Sequence, residues 1–158
     1  MYSYRLLPSP EPTVLQFQRH FIDMPAYDAF LKQYPNTHAY ASEFLRNSSV
    51  LSYDSVMEKI PHEGSDSFYI MWNLSAVSDG ISSPSFSPII AAVSKADLLF
   101  MLHDQKNDME DSKLIYCRNM ERITFWDMII FDDSFSWALA ITHEDNEDGS
   151  RMCFSAVI

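Results

Sequence analysis

The stretch that most restricts what this chain can become is residues 123–144, ITFWDMIIFDDSFSWALAITHE. Residues 125–131 are rich in aromatic and β-branched side chains, as strands are. Asp132, Asp133 and Ser134 follow, residue types whose side chains bond to their own backbone and favour a turn. Beyond them Phe135, Trp137, Leu139 and Ile141 alternate with Ser136, Ala138, Ala140 and Thr142. That period of two gives one large apolar face and one small face, and the small face admits close approach of a helix or another strand. Apart from Asp127, residues 126–131 form a continuous apolar run, which predicts a strand covered on both faces. The whole reads as a β-hairpin at the centre of an antiparallel sheet, and a hairpin this apolar requires further elements around it.

The rest of the chain supplies them. Residues 2–7 read as a short edge strand, and Pro8, Pro10 and Pro12 predict an extended connector. Residues 14–21 fit either a strand or a helix, ending near Pro25. From Ala26 the pattern is helical: Tyr27, Phe30 and Leu31 fall at i, i+3 and i+4, and Pro35 stops the helix. A second helix is expected from a cap at Asn36 or Thr37 to about Arg46, with Tyr40, Phe44 and Leu45 as its apolar stripe, broken by residues 47–49. Residues 50–57 fit strand or helix equally. Residues 60–67 read as a polar loop, 68–74 as a strand, and 75–88 as an exposed contact loop built of serines with Gly80, Pro84 and Pro88. Residues 89–93 read as a strand. Ser94 and Asp97 resemble a capping box opening a helix through Leu98, Met101 and Leu102. Residues 104–112 read as a charged turn, 114–117 as a strand, 144–150 as an acidic turn, and 152–157 as the strand that closes the sheet. Helices early and strands late give an α+β fold, a mostly antiparallel sheet with a C-terminal hairpin packed against N-terminal helices. At 158 residues a single domain, 1–158, is expected, with about two-thirds of the unfolded surface buried.

Composition narrows the chemistry. The formal charge is −11, of which −7 falls in residues 80–158. Such a surface repels nucleic acid and anionic membranes and steers toward a basic partner; the plainer reading is that it only keeps the protein soluble. Only Gly64, Gly80 and Gly149 are glycines, too few and too scattered for a phosphate-cradling loop. Cys117 and Cys153 cannot form a disulfide scaffold and read as buried free thiols. The N-terminal segment has no apolar core of a signal peptide and no run approaches a membrane span, so a cytoplasmic protein is expected.

No constellation carries recognisable catalysis. Residues 144–149, EDNEDG, place oxygen ligands at alternate positions before a glycine, like the start of a calcium loop. The first ligand is Glu144 rather than Asp, and the bidentate position is Ser155, so a solvated hairpin turn is the better reading. His143 and Glu144 stand about 30 Å from Asp132 and Asp133 along a straight strand, too far for one acid–base site. His20, His38, His62 and His103 have no ligand spacing. No serine stands in a nucleophile elbow, and Cys117 lacks activating neighbours beyond Arg118. The aromatic set that includes Phe68, Tyr69, Trp72 and Trp126 lacks the basic residues that base stacking on nucleic acid needs, and reads as core. Catalytic residues, cofactors and metals are therefore expected to be none.

The pattern Ile129-Ile130-Phe131-Asp132-Asp133-Ser134-Phe135-Ser136-Trp137, followed by Thr142-His143-Glu144, resembles one near the C-terminus of small bacterial proteins of the toxin-immunity type. That resemblance implies no catalytic residue. It implies an immunity or inhibitor protein whose partner is a cognate toxin, a basic domain such as a nuclease, blocked sterically and electrostatically. The expected contact residues are Asp104, Asp108, Glu110, Asp111, Glu144, Asp145, Glu147 and Asp148, with an apolar anchor in the 78–88 loop. A small enzyme built around His143 or Cys117, and an interaction module that inhibits nothing, stay open as alternatives.

Overall fold

The computed structural model describes residues 4–34, 39–61, 67–72, 75–76, 89–107 and 128–157. The central hairpin is its spine. β7 (Met128–Asp132) is buried at every position and pairs with β8 (Trp137–Asp145), Ile130 facing Leu139. β8 continues into β9 (Arg151–Val157), with a register shift between Ile141 and Asp145. On the other side β7 pairs with β4 (Ser67–Trp72), then β6 (Ile89–Ser94) and, at the edge, β1 (Tyr4–Leu6). The opposite edge is β3 (Ser48–Leu51), paired with β9. Among the described residues this makes a seven-stranded antiparallel sheet, order β1-β6-β4-β7-β8-β9-β3. A two-residue pair, β2 (Ala39–Tyr40) with β5 (Ser75–Ala76), stands apart from it.

Helices cover both faces. α1 (Glu11–Phe21) and α2 (Met24–Gln33) pack on one. α3 (Tyr53–Lys59) and α4 (Lys95–Asn107) pack on the other. The period-two pattern of the strands sorts their side chains between the two cores. Ile129, Phe131, Ala138 and Ala140 join Val14, Phe17 and Phe21 of α1. Met128, Ile130, Leu139 and Ile141 join Val56 of α3 and Leu98, Met101 and Leu102 of α4. The small face of β8 thus lies in the α1 layer, where Ala138 and Ala140 leave room for Phe17, whose ring centroid is 5.0 Å from that of Phe131. Removing a buried phenyl of this kind costs about 3–5 kcal/mol. The α+β architecture, the antiparallel sheet and the doubly covered β7 agree with the sequence reading. No described helix is long and apolar enough to cross a membrane.

Local details differ. Pro10 is helical (φ −75°, ψ −17°) and Pro12 lies in the first turn of α1, so these two prolines open a helix and only Pro8 stays in the connector. Amides in a first turn have no intrahelical partner, and proline loses nothing there. Pro25 does the same in α2, behind Asp23, whose Oδ1 accepts from Ala26 N at 3.2 Å. The helix expected up to Arg46 is replaced by β2 and a single 3-10 turn, Ala41–Phe44; its expected caps, Asn36 and Thr37, lie outside the described residues. This segment's backbone instead bonds to the α1–α2 junction, Asp23 N to Phe44 O at 2.8 Å and Arg46 N to Phe21 O at 2.8 Å. Tertiary pairing overrides a helical apolar pattern. Residues 50–57 are both strand and helix, split at Ser52, whose hydroxyl accepts from Ser55 N and caps α3. Ser94 caps α4 as expected, with Ser94 Oγ accepting from Asp97 N at 3.2 Å, which is the N-cap half of a capping box, but the Asp97 carboxylate accepts from the Ser94 hydroxyl, Oδ2 at 2.9 Å. α4 then runs to Asn107, so Asp104 is helical and not in a turn. The 114–117 strand and the contact loop beyond Ala76 lie outside the described residues.

Candidate partner-binding end of the sheet

The hydrophobic motif around the β7–β8 turn resolves into a structural device. Asp132 is 5% exposed, and its carboxylate accepts three bonds. Ser134 N donates to Oδ1 at 3.0 Å, Ser134 Oγ donates to the same oxygen, and Trp137 Nε1 donates to Oδ2 at 3.0 Å. Ser134 Oγ also meets Ser136 Oγ at 2.7 Å. This network holds Phe135 at φ 51°, a conformation that costs a bulky residue about 1–3 kcal/mol. In exchange the Phe135 ring lies 5.7 Å from Phe131 and stacks on His20 at 5.4 Å. The aspartate, serine and tryptophan of the motif therefore close a turn.

The opposite end of the sheet gathers acidic segments that are distant in sequence. Leu51 faces Cys153 and Cys153 faces Ile141, so β3 ends, α3 begins and the β8–β9 connection turns at one end. α4 starts after Ser94, whose partner Ser67 is at the far end, and runs back. Tyr53 Oη donates to Leu102 O at 2.7 Å, tying the first turn of α3 to the latter half of α4. The backbone of Asp104 therefore reaches the same end as Asp54, Glu147 and Asp148. Glu144 and Asp145, expected in a turn, are the last residues of β8 because the strand continues past the register shift to pair Asp145 with Arg151. Asp108, Glu110 and Asp111 lie outside the described residues.

The turn itself is well built. Asn146 N donates to Ser150 O at 2.7 Å, and Gly149 N donates to Asn146 O at 2.9 Å, with Gly149 at φ 84°. Asp148 Oδ1 accepts from Ser150 N at 2.9 Å and from Ser150 Oγ. The Ser150 hydroxyl, then its amide, holds the Asp148 carboxyl below its ordinary value. Arg151 is half-buried, and its Nη1 donates to Thr142 O at 2.9 Å. Residues 52–54 and 148–151 line a groove of about 330 Å³ with Asp54 and Asp148 on its rim. Beneath it, burial pushes the Cys153 thiol up to about 11 and raises the Tyr53 phenol, so both stay neutral at ordinary pH. A second groove, about 400 Å³, lies beyond the other end of β3, between the cap Asp23 with Ala26 of α2 and residues 43–47. The Arg46 guanidinium is directed to Arg19 O.

Of the remaining sequence candidates, His20 Nδ1 lies 2.8 Å from Gln16 O, and His103 is exposed on α4. His38, His62 and Cys117 lie outside the described residues. No group of three or more His, Cys, Asp or Glu that would hold a metal ion occurs among the described residues. Asp54, Asp23 and Glu43 escaped the sequence reading because each is a single acid in a segment without a charge run. The available signal for Asp54 was the Ser52 cap, which fixes where β3 stops and α3 starts. Comparison with protein-family models, curated proteins and solved structures returns no match.

Proposed function

We propose that this protein acts by binding, as an immunity-type inhibitor of a basic protein toxin, with a nuclease domain as its partner. The observation that carries this reading is the gathering of Asp54, the end of α4 and the 144–148 segment at one end of the sheet, where Asp54 and Asp148 line a groove. A nuclease carries cationic side chains for a polyanionic substrate, and a fixed set of carboxylates competes for them. The surplus of −11 adds long-range attraction that speeds association and fades with salt. A rigid turn is suited to the task, because Asp148 is already held by Ser150 and loses little freedom on binding.

The test is co-expression with the product of the neighbouring gene. Protection of the host cell, and co-purification of a basic polypeptide whose activity is suppressed, are expected. Triple replacement of Asp54, Glu147 and Asp148 by their amides is expected to slow association at least tenfold at low salt. Absence of protection and of any basic partner defeats the proposal.

A further inference from the structure

Resting on that binding reading, we propose how the partner docks: an extended basic segment adds a strand to the open edge of β3 and places one cationic side chain in each flanking groove. Among the described residues β9 is β3's only strand neighbour, so the outer edge of β3 presents backbone donors and acceptors without a ladder. Proteins normally guard such an edge with charge, proline or a bulge. β1, at the other edge, is three residues long, carries Arg5 at its centre and is followed by Pro8. β3 reads Ser-Ser-Val-Leu, with no charge and no proline. Ser48, Ser49 and Val50 are all exposed, and Val50 is 69% exposed beside the half-buried Phe154. An unguarded edge with an apolar landing point is what strand addition uses.

Charge selects the occupant. A second copy would bring −11 against −11. A cationic chain meets Asp54 and Asp148, which outnumber Arg151, at one end of β3, and Asp23 and Glu43, which outnumber Arg46, at the other. The grooves begin at Asn47 and Ser52, about 17 Å apart along an extended chain, which spans five residues. One groove lies on the α2 side of the sheet and the other on the α3 side. Side chains of an added strand alternate between faces, so the two cations must be an odd number of positions apart, and five satisfies both conditions. An apolar residue on the α2 side then covers Val50.

The probe is the blocked peptide TKVTVTKT, titrated into the isotope-labelled full chain. Amide shifts are expected at residues 48–51 and around both grooves. Alternate β3 amides, fast-exchanging in the free protein, are expected to become protected. Moving the lysines to a spacing of four, or replacing both by glutamate, is expected to weaken binding at least tenfold. Val50→Lys, which adds the missing edge guard at an exposed position, is expected to do the same while the melting temperature holds. The proposal is overturned by peptide binding that ignores Val50→Lys or the lysine spacing, by shifts only elsewhere or none, or by β3 amides already protected in the free chain. A dimer that Val50→Lys dissociates overturns it too, assigning the edge to a second copy. Should neutralisation of the toxin survive Val50→Lys but fail in the Asp54, Glu147 and Asp148 variant, strand addition falls and the inhibitor reading stands.

Discussion

The two turns of the C-terminal meander use the same three-residue hardware to opposite ends. In Asp132-Asp133-Ser134 and in Asp148-Gly149-Ser150, the aspartate Oδ1 accepts from both the amide and the hydroxyl of the serine two residues on. At the β7–β8 turn that aspartate is buried and its other oxygen is taken by Trp137. At the β8–β9 turn it is exposed, beside a groove. Local chemistry makes either turn; burial decides which carboxylate holds the fold and which faces solvent. The backbone irregularity moves accordingly. The open turn puts its positive φ on Gly149, where the conformation is free of side-chain strain. The closed turn puts it on Phe135, a cost recovered only by ring packing on Phe131 and His20.

The largest expected effect that separates them is Asp132→Ala. It leaves the half-buried Trp137 Nε1 without its acceptor and releases the exposed Ser134 donors to water, for a loss of about 2–3 kcal/mol. Thermal melting should fall by roughly 5–10 °C for a chain of this length. Trp137→Phe keeps most of the ring and deletes one bond to the carboxylate, for about 1.5 kcal/mol. In the double variant the two losses should be less than additive, since each removes the same bond. Full additivity in urea titrations would mean that the Asp132–Trp137 contact contributes nothing, and the two turns would then differ only in exposure.

The same contrast explains what was legible in the sequence. Period-two alternation revealed β8 and its two unlike faces, because the pleat and the pattern share one cause. The apolar run of β7 revealed its double cover for the same reason. Asp132 and Asp148 were not distinguishable by motif, since what separates them is the position of Trp137 and the burial of the β7 end. Residues 39–46 misled because an apolar spacing suited to a helix is outweighed by backbone bonds to the α1–α2 junction, which no local window contains. The acidic end was legible in part. The 144–148 run announces itself, whereas Asp54 joins it only through the β3–β9 register and the Tyr53–Leu102 bond.

Alkaline titration sharpens the comparison from below, because the floor of the acidic end is neutral. Cys153 has an ordinary value of 9.0 and is raised to about 11 by burial, and Tyr53 is raised above its ordinary 10.0 by burial and by neighbouring Cys153. In both, the unfolded chain ionises first. Their contribution is therefore complete below pH 9 and is lost as pH rises from 9 to 11 and beyond. Stability is expected to fall across that window, and less steeply in Cys153→Ala. An equal slope in wild type and variant would place the thiol in water. Native Cys153 should also resist thiol reagents at pH 8 until the chain unfolds.

The smallest expected effect belongs to Asp148→Asn. The wild-type carboxyl is lowered below its ordinary 3.8 by Ser150, so its contribution is present above that value and is lost as pH falls through the lower folded one. Water reaches this group freely and screens whatever the turn gains from it. The melting temperature at pH 7 should therefore move by under about 2 °C, as for a surface substitution. Association with a cationic partner should slow several-fold at low salt and recover at high salt, the pattern of a charge that steers without holding the fold. Were Asp148→Asn instead to melt as early as Asp132→Ala, the β8–β9 turn would be a second closing device. The acidic end would then owe its carboxylates to stability, and its claim to be a binding surface would rest on Asp54 and Glu147 alone.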